Sequence, residues 1–283
     1  MRRIFALCLA IVMLSLCACK ANQSNSDGAN DPIFDDSGFN SIGGLTSEEK
    51  QDDTDLTALI RAVTATSELK EYSATCQTTL SLSVEGVSVE LNRIQAVAFA
   101  DEVGNGLFSS DTDIKDEHNR FTGQISLKRY SDKQLNRNYV CQSSVNLSGA
   151  SGNSVSMQKE KYKVFRLDEL FYTQTDFADS DIVTAKQTKK DNTAIYSLTF
   201  TDTAAKRMTE ALLKDLTVSF KSENLTVSHF EITVNVNSGL MTERTLSVIC
   251  TVAGDKPQTY SLSRQFSLKS NRTSELSRPD WAK

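Results

Sequence analysis

Histidine and tryptophan are nearly missing from this chain: 283 residues contain two His and one Trp. His118 and His229 each lack a second His or Cys at ligand spacing, which argues against a zinc centre. There is no Gly-x-Ser-x-Gly elbow, no glycine-rich phosphate loop and no Cys-x-x-Cys pair, so the sequence carries no hydrolase, nucleotide or thiol-redox signature. A basic block is absent too, and the formal charge is −5. Charge alone therefore selects neither nucleic acid nor anionic headgroups as partners. No cofactor is called for, and the chain is not read as an enzyme.

What is present begins at the first residues. Arg2 and Arg3 precede an apolar run from Ile4 to Leu16, followed by small or polar residues at Cys17 to Lys20. That order is the layout of an export signal. The run falls short of the roughly 20 apolar residues a transmembrane helix needs. Leu16, Ala18 and Cys19, at −3, −1 and +1, resemble the lipobox of bacterial lipoproteins. The resemblance implies cleavage after Ala18 and acylation of the Cys19 thiol, and each buried methylene of the acyl chains would contribute about 0.8 kcal/mol of membrane affinity. Cys17 fits less well, because it would put Leu16 at −1. The alternative is an ordinary signal cut after Ala18 or Ala21, with Cys19 incidental.

On this reading residues 1–18 are the signal, 19–53 the lipidated cysteine and a tether, and 54–283 one folded domain on the extracytoplasmic face of the cell membrane. Loss of residues 1–18 removes two arginines and no acids, taking the charge from −5 to −7. Cys8 and Cys17 leave with the signal. Cys76, Cys141 and Cys250 remain, enough for at most one disulfide, and spacing does not choose the pair. Buried free thiols are the default. The tether is rich in Asn, Ser, Asp and Gly and too poor in large apolar groups to offset its ordering entropy.

A capping box is readable at Thr46-x-x-Glu49. The first helix is expected from Asp55 to about Ser67, with Leu56, Leu59, Ile60 and Val63 on one stripe. The period then changes to two. Tyr72 to Val84 alternates as a half-buried strand, Glu85-Gly86 turns it, and Val87 to Leu91 returns, with a bulge near Arg93. A polar loop is expected over Asp101–Arg120. Further strands are expected at Phe121–Tyr130 and at Asn138–Leu147, the latter with Tyr139, Cys141, Val145 and Leu147 in phase. A pair follows at Lys161–Phe165 and Leu170–Thr173, turning at Leu167-Asp168-Glu169, and then Ile195–Phe200. A second helix runs from Asp202 to about Lys214, capped by Thr201 or Asp202, with Ala205, Met208, Leu212 and Leu216 inward. Phe230 to Val236, Leu246 to Val252 and Tyr260 to Leu268 form a final meander through Asn237-Ser238-Gly239. All three mature cysteines are placed with the apolar face. The sum is an α+β domain: a long antiparallel sheet of about ten strands, curled around the two helices set into its order.

An acylated Cys, a polar tether, an amphipathic helix, long alternating strands, a capped second helix and the closing meander through Asn237-Ser238-Gly239-Leu240 resemble the lipoprotein-carrier-like superfamily. That group includes the periplasmic lipoprotein carrier and mycobacterial glycolipid-binding lipoproteins, and small lipoproteins of Gram-positive bacteria look similar. The resemblance, over residues 55–283, implies a half-barrel over helices with room for acyl chains between.

Few residues offer chemistry. Cys141 or Cys250 with His229 would make a thiol–imidazole dyad only if the fold brought them together; core thiol and surface imidazole is the plainer reading. Asp168-Glu169 and the acids Asp176, Asp179 and Asp181 lack the regular glycine-centred spacing of a calcium loop. Arg264 is the oddity, since alternation puts it inward between Leu262 and Phe266. A lone buried charge must pair, reach the rim or meet an anion, and a rim or bulge position is favoured. Arg264, Tyr260 and Phe266 are the candidate ligand-binding residues. The preferred function is a membrane-anchored lipoprotein binding an apolar or amphipathic, lipid-like ligand in a cavity under the sheet. The alternative is an envelope interaction or sensor module with a filled core.

Overall fold

The structure is a computed structural model that describes residues 56–84, 86–147, 154–171, 176–271 and 275–283. Ala18, Cys19, the tether and the capping box at Thr46 lie outside the described residues. Eleven strands make one antiparallel sheet: β1 (Tyr72–Val84), β2 (Val87–Ala100), β3 (Gly106–Lys115), β4 (Phe121–Asp132), β5 (Arg137–Asn146), β6 (Ser154–Lys161), β7 (Ile182–Lys190), β8 (Thr193–Phe200), β9 (Leu225–Asn237), β10 (Leu240–Val252) and β11 (Gln258–Ser270). The helices are α1 (Thr57–Ser67), α2 (Leu167–Phe171) and α3 (Asp202–Asp215).

The spatial order is β6-β5-β4-β3-β2-β1-β11-β10-β9-β8-β7. The chain starts at the centre and meanders out to one edge. It then crosses under the sheet through α2 to the far edge and meanders back until β11 pairs with β1. The sheet is open, curved and wrapped over its helices, an α+β half-barrel. Its inner face carries Ala74, Cys76, Leu80 and Leu82 of β1, Ile232 and Val234 of β9, and Leu246, Val248 and Cys250 of β10, all buried.

Local chemistry explains the elements that alternate most clearly. The β9–β10 hairpin turns on Ser238 and Gly239 at φ 52° and 75°, the paired left-handed conformation of a two-residue turn matched to strand twist. Helix α3 is capped by the Thr201 hydroxyl, which accepts the Ala204 N–H at 3.3 Å. It buries Ala204, Ala205, Met208, Leu212 and Leu213 and packs on β9. Helix α1 packs on β10 and is pinned there by Thr66, whose hydroxyl donates to the Ala62 carbonyl and accepts the Met241 N–H, both at 2.8 Å. The bulge near Arg93 is present: Leu80 pairs with Asn92 and Ser81 with Glu90, leaving Leu91 extra.

Several expectations are corrected. The loop over 101–120 contains β3, whose Ser, Asp and Thr residues are polar on both faces because little covers either one. The pair around Leu167 is not a hairpin: Ser154–Lys161 is a strand and Leu167–Phe171 a short helix. Strand β7, lysine-rich and exposed, is a further strand, and the strands among the described residues number eleven. On α1 the inward stripe is Leu59, Ala62 and Thr66, and Ile60 is exposed. Cys141 is half-buried and free; it shares a face with Tyr139, opposite to that of the main core, because its register through Lys128 and Ser109 follows the outer face.

Candidate functional site

The crossover places α2 beneath the centre of the sheet, and polar atoms collect there inside an otherwise apolar layer. Arg264 is in regular register on β11, paired with Thr78 of β1 and Leu246 of β10. Its Nε donates to Thr78 Oγ1 at 3.0 Å and its Nη1 to the Phe171 carbonyl at 3.3 Å. The rim or bulge position expected for it is thus corrected. Two acceptors, remote in sequence, meet the guanidinium inside, and that lowers the cost of burying it. Desolvation still pulls its pKa below the ordinary arginine value, opposed by Cys76 and Asp215.

A second guanidinium sits one rung away. Arg244 of β10 pairs with Phe266, which pairs with Cys76. Arg244 is 5% exposed, and its Cζ lies 5.6 Å from the Phe177 ring centroid, a cation–π distance. Cys76 shares the inner face with both. Burial pushes its thiol pKa up, against the pull of Arg264, the Thr78 hydrogen bond and Arg244. Cys250 is pushed up to about 11 by burial. These thiols stay protonated at neutral pH and make poor nucleophiles.

Aromatic rings flank the pair. Phe171 lies 6.2 Å from Phe108 and 5.6 Å from Phe266, and Phe200 lies 5.2 Å from Phe177 and 5.4 Å from Phe230. Toward β2 and β3 the inner face is lined by small residues, Ala96, Ala98 and Ser110. The arrangement is a pair of guanidiniums set into a largely apolar layer.

Of the three candidate binding residues, Phe266 neighbours Arg264 on the inner face. Tyr260 shares that face two alternations away, and its hydroxyl donates to Gln258 Oε1 at 2.7 Å. Arg244 was missed, although alternation carried back from Leu246 would have placed it inward. His229 stands on the face opposite Cys250, beside Glu231, and Cys141 is on β5, far across the sheet order. Neither dyad forms. His118 lies in the exposed β3–β4 turn and donates its backbone N–H to Asp116. Asp181 accepts from the Ala178 N–H at 3.0 Å and from Arg207 at 2.9 Å, contacts that hold its pKa down. Asp168 pairs with Arg166 and Glu169 with Lys163. Among the described residues no cluster of His, Cys, Asp and Glu could hold a metal ion.

The described residues also line a cavity of about 480 Å³, and it is not the one expected between sheet and helices. It opens on the outer, polar face, over β3, β2, β1, β11 and β10.

No model of a known protein family matches the sequence, and no curated protein matches it. Among solved structures, the chain is similar to LprF from Mycobacterium bovis, at 11% identity over 80% of this chain and 96% of that one, with a TM-score of 0.35. The beta-barrel-like protein of domain of unknown function DUF1849 from Brucella abortus gives 8% identity over 71% and 100%, with a TM-score of 0.25. The ywiB protein from Bacillus subtilis gives 8% over 73% and 99%, with a TM-score of 0.20.

Proposed function

We propose that this is an extracytoplasmic lipoprotein, held to the membrane through acyl chains on Cys19, that binds an amphipathic ligand under its curved sheet. The ligand's anionic end would face Arg264 and Arg244, and its apolar body would lie along Phe266, Ala96 and Ala98. The observation that carries the reading is the pair of guanidiniums on adjacent rungs of β11 and β10 within the apolar layer. Burying two like charges together is costly, and an anionic ligand group would add to the negative charge that Asp215 already offers Arg264. The order of elements and the signal-like first residues support an envelope location.

Native mass spectrometry of the full chain, extracted from membranes in mild detergent, tests the binding. The expected result is a copurifying anionic lipid-like mass that is lost in Arg264→Met and Arg244→Met. A ligand-free spectrum would overturn it. That outcome would favour the second reading, an interaction module with a filled core, for which the ring contacts from Phe108 to Phe266 and from Phe177 to Phe230 speak. The anchor has its own test. Labelled palmitate should mark the protein, and Cys19→Ala should remove both the label and the membrane fraction. Absence of label would sink the anchor without touching the ligand reading.

A further inference from the structure

At the centre of the sheet the outer face carries a run of polar side chains. Pairing aligns Asp111, Gln95, Gln77 and Gln265 in one row across β3, β2, β1 and β11. Ser109, Val97, Thr75, Ser267 and Glu243 form the next row, reaching β10. The backbone of Cys76 and Ala96 floors the trough between the rows, and Lys269 stands at its side. Residues i and i+2 of a strand are about 6.7 Å apart and five strands span about 19 Å. The cavity is therefore a channel about one ring wide that runs across the strands.

Among the described residues, the side chains of Gln77, Gln95, Gln265, Thr75, Ser109 and Ser267 make no hydrogen bond within the protein. The two carboxylates are braced from outside the channel: Asp111 accepts from Ser126, and Glu243 from Asn235 at 2.8 Å. Three carboxamides in a row, each donating and accepting, recur at the strand spacing of about 4.8 Å. A β-1,4-linked pyranose chain advances by little more than that per ring. Its hydroxyl and acetamido groups need both donors and acceptors, which carboxamides and hydroxyls supply.

We infer that this trough is a binding site for an extended, neutral β-linked glycan, distinct from the site under the sheet. An acidic glycan is disfavoured, because Asp111 and Glu243 stand at opposite ends and Lys269 is the one basic residue that lines the channel. An extended peptide is disfavoured as well. Lying across the strands it could reach none of the ladder's backbone groups, which are already paired, and the channel offers no pocket for its apolar side chains.

The test is isothermal titration of the detergent-solubilised full chain with the hexamer and the dimer of N-acetylglucosamine, with cellohexaose, and with an oligogalacturonate of equal length. Neutral hexamers should bind at least tenfold more tightly than the dimer, and the oligogalacturonate should bind at least tenfold more weakly than either hexamer. Gln77→Ala/Gln265→Ala should weaken the hexamers tenfold or more, and Ser267→Trp, which fills the channel from a half-buried position in its lining, should abolish binding. Arg264→Met should bind glycan as the unaltered chain does, which separates this site from the one under the sheet. No binding of either neutral hexamer at millimolar concentration would overturn the inference. So would equal binding of the acidic glycan, or unchanged affinity in both channel variants.

Discussion

One sheet is held together in two different ways on its two sides. From β8 through β11 to β1, the inner face meets α1 and α3, and Leu198, Ile232 and Val234 are fully buried. From β3 to β6 the same alternation continues with little helix cover, Phe108 at the base of β3 meeting the Phe171 ring of α2 at 6.2 Å. There only the roots of the strands are buried, and Val155 and Met157 on β6 are 71% and 56% exposed. The first half is a core in the ordinary sense. The second is a wing, held by its hydrogen-bond ladder and by a polar hub at its base. At that hub the buried Asp101 accepts from the backbone of Gly104, Asn105 and Leu276 and from the Asn105 side chain. The C-terminal segment docks close by, with Ala282 and Trp281 against Tyr130 and Tyr139 and Arg278 over the Tyr139 ring at 4.4 Å. Alternation thus sets which way side chains point, and helix cover decides whether pointing becomes burial.

The contrast is broken most easily with one substitution on each side. Ile232→Ala should cost about 2–5 kcal/mol in denaturant unfolding, because it leaves a cavity in a layer that cannot collapse. Leu127→Ala, half-buried in the wing, should cost about 1 kcal/mol, since it gives up only part of a leucine's burial. Equal losses would mean that the wing has a core of its own.

The hub gives the opposite pattern. Asp101→Ala leaves buried N–H groups without an acceptor, at about 2–3 kcal/mol. Hydrogen exchange should quicken in β3–β5 and in the segment 275–283, while α3 and β9 keep their protection. Uniform loosening of the whole sheet would show that the hub serves both halves alike.

That division also explains what could be read from residues alone. The meander from Phe230 to Leu268 and helix α3 were legible because large apolar residues recur at one period next to clear turns and a cap. Strands β3 and β7 were not, because they lie on the wing and at an edge, where polar residues on both faces erase the alternation. Helix α2 spans five residues, too few for its period to differ from that of a strand. Alternation put Arg264, Tyr260 and Phe266 on the inner face, where the register places them. Arg244 was lost because its strand, expected from Leu246, begins six residues earlier at Leu240. The acceptors of Arg264 come from strand pairing and the crossover, at sequence separations of 186 and 93 residues, and no local pattern encodes them.

Thiol chemistry sharpens the comparison further. A disulfide-exchange reagent at pH 8 should label Cys141 in the native protein and leave Cys76 and Cys250 untouched until denaturant is added. With its pKa at about 11, Cys250 is ionised about a hundredfold less than an unperturbed thiol of 9.0. Native labelling of Cys76 on the same timescale as Cys141 would show that the layer around the two arginines opens readily.

The smallest effect is expected at the tip of the wing, and it depends on pH. Asp116 accepts the backbone N–H groups of His118 and Arg120 and the Arg120 guanidinium. The Arg120 side-chain bond leads in holding its pKa at about 2, against an ordinary 3.8. Glu90, despite the desolvation that opposes it, is also lowered by hydrogen bonds from Lys115 and Arg93. A carboxylate whose folded pKa is depressed contributes fully above its unfolded pKa, and that contribution is lost as pH falls through the folded value. The β3–β4 turn should therefore loosen between about pH 4 and pH 2, before β9 and β10, whose inner faces bury no carboxylate among the described residues. Asp116→Asn should flatten that acid limb while leaving behaviour at pH 7 within the small range of an exposed ion pair. Amide exchange followed residue by residue across this window decides the point. If the turn and the covered strands lose protection at the same pH, the wing is no separate unit, and the division between ladder-held and helix-covered halves fails.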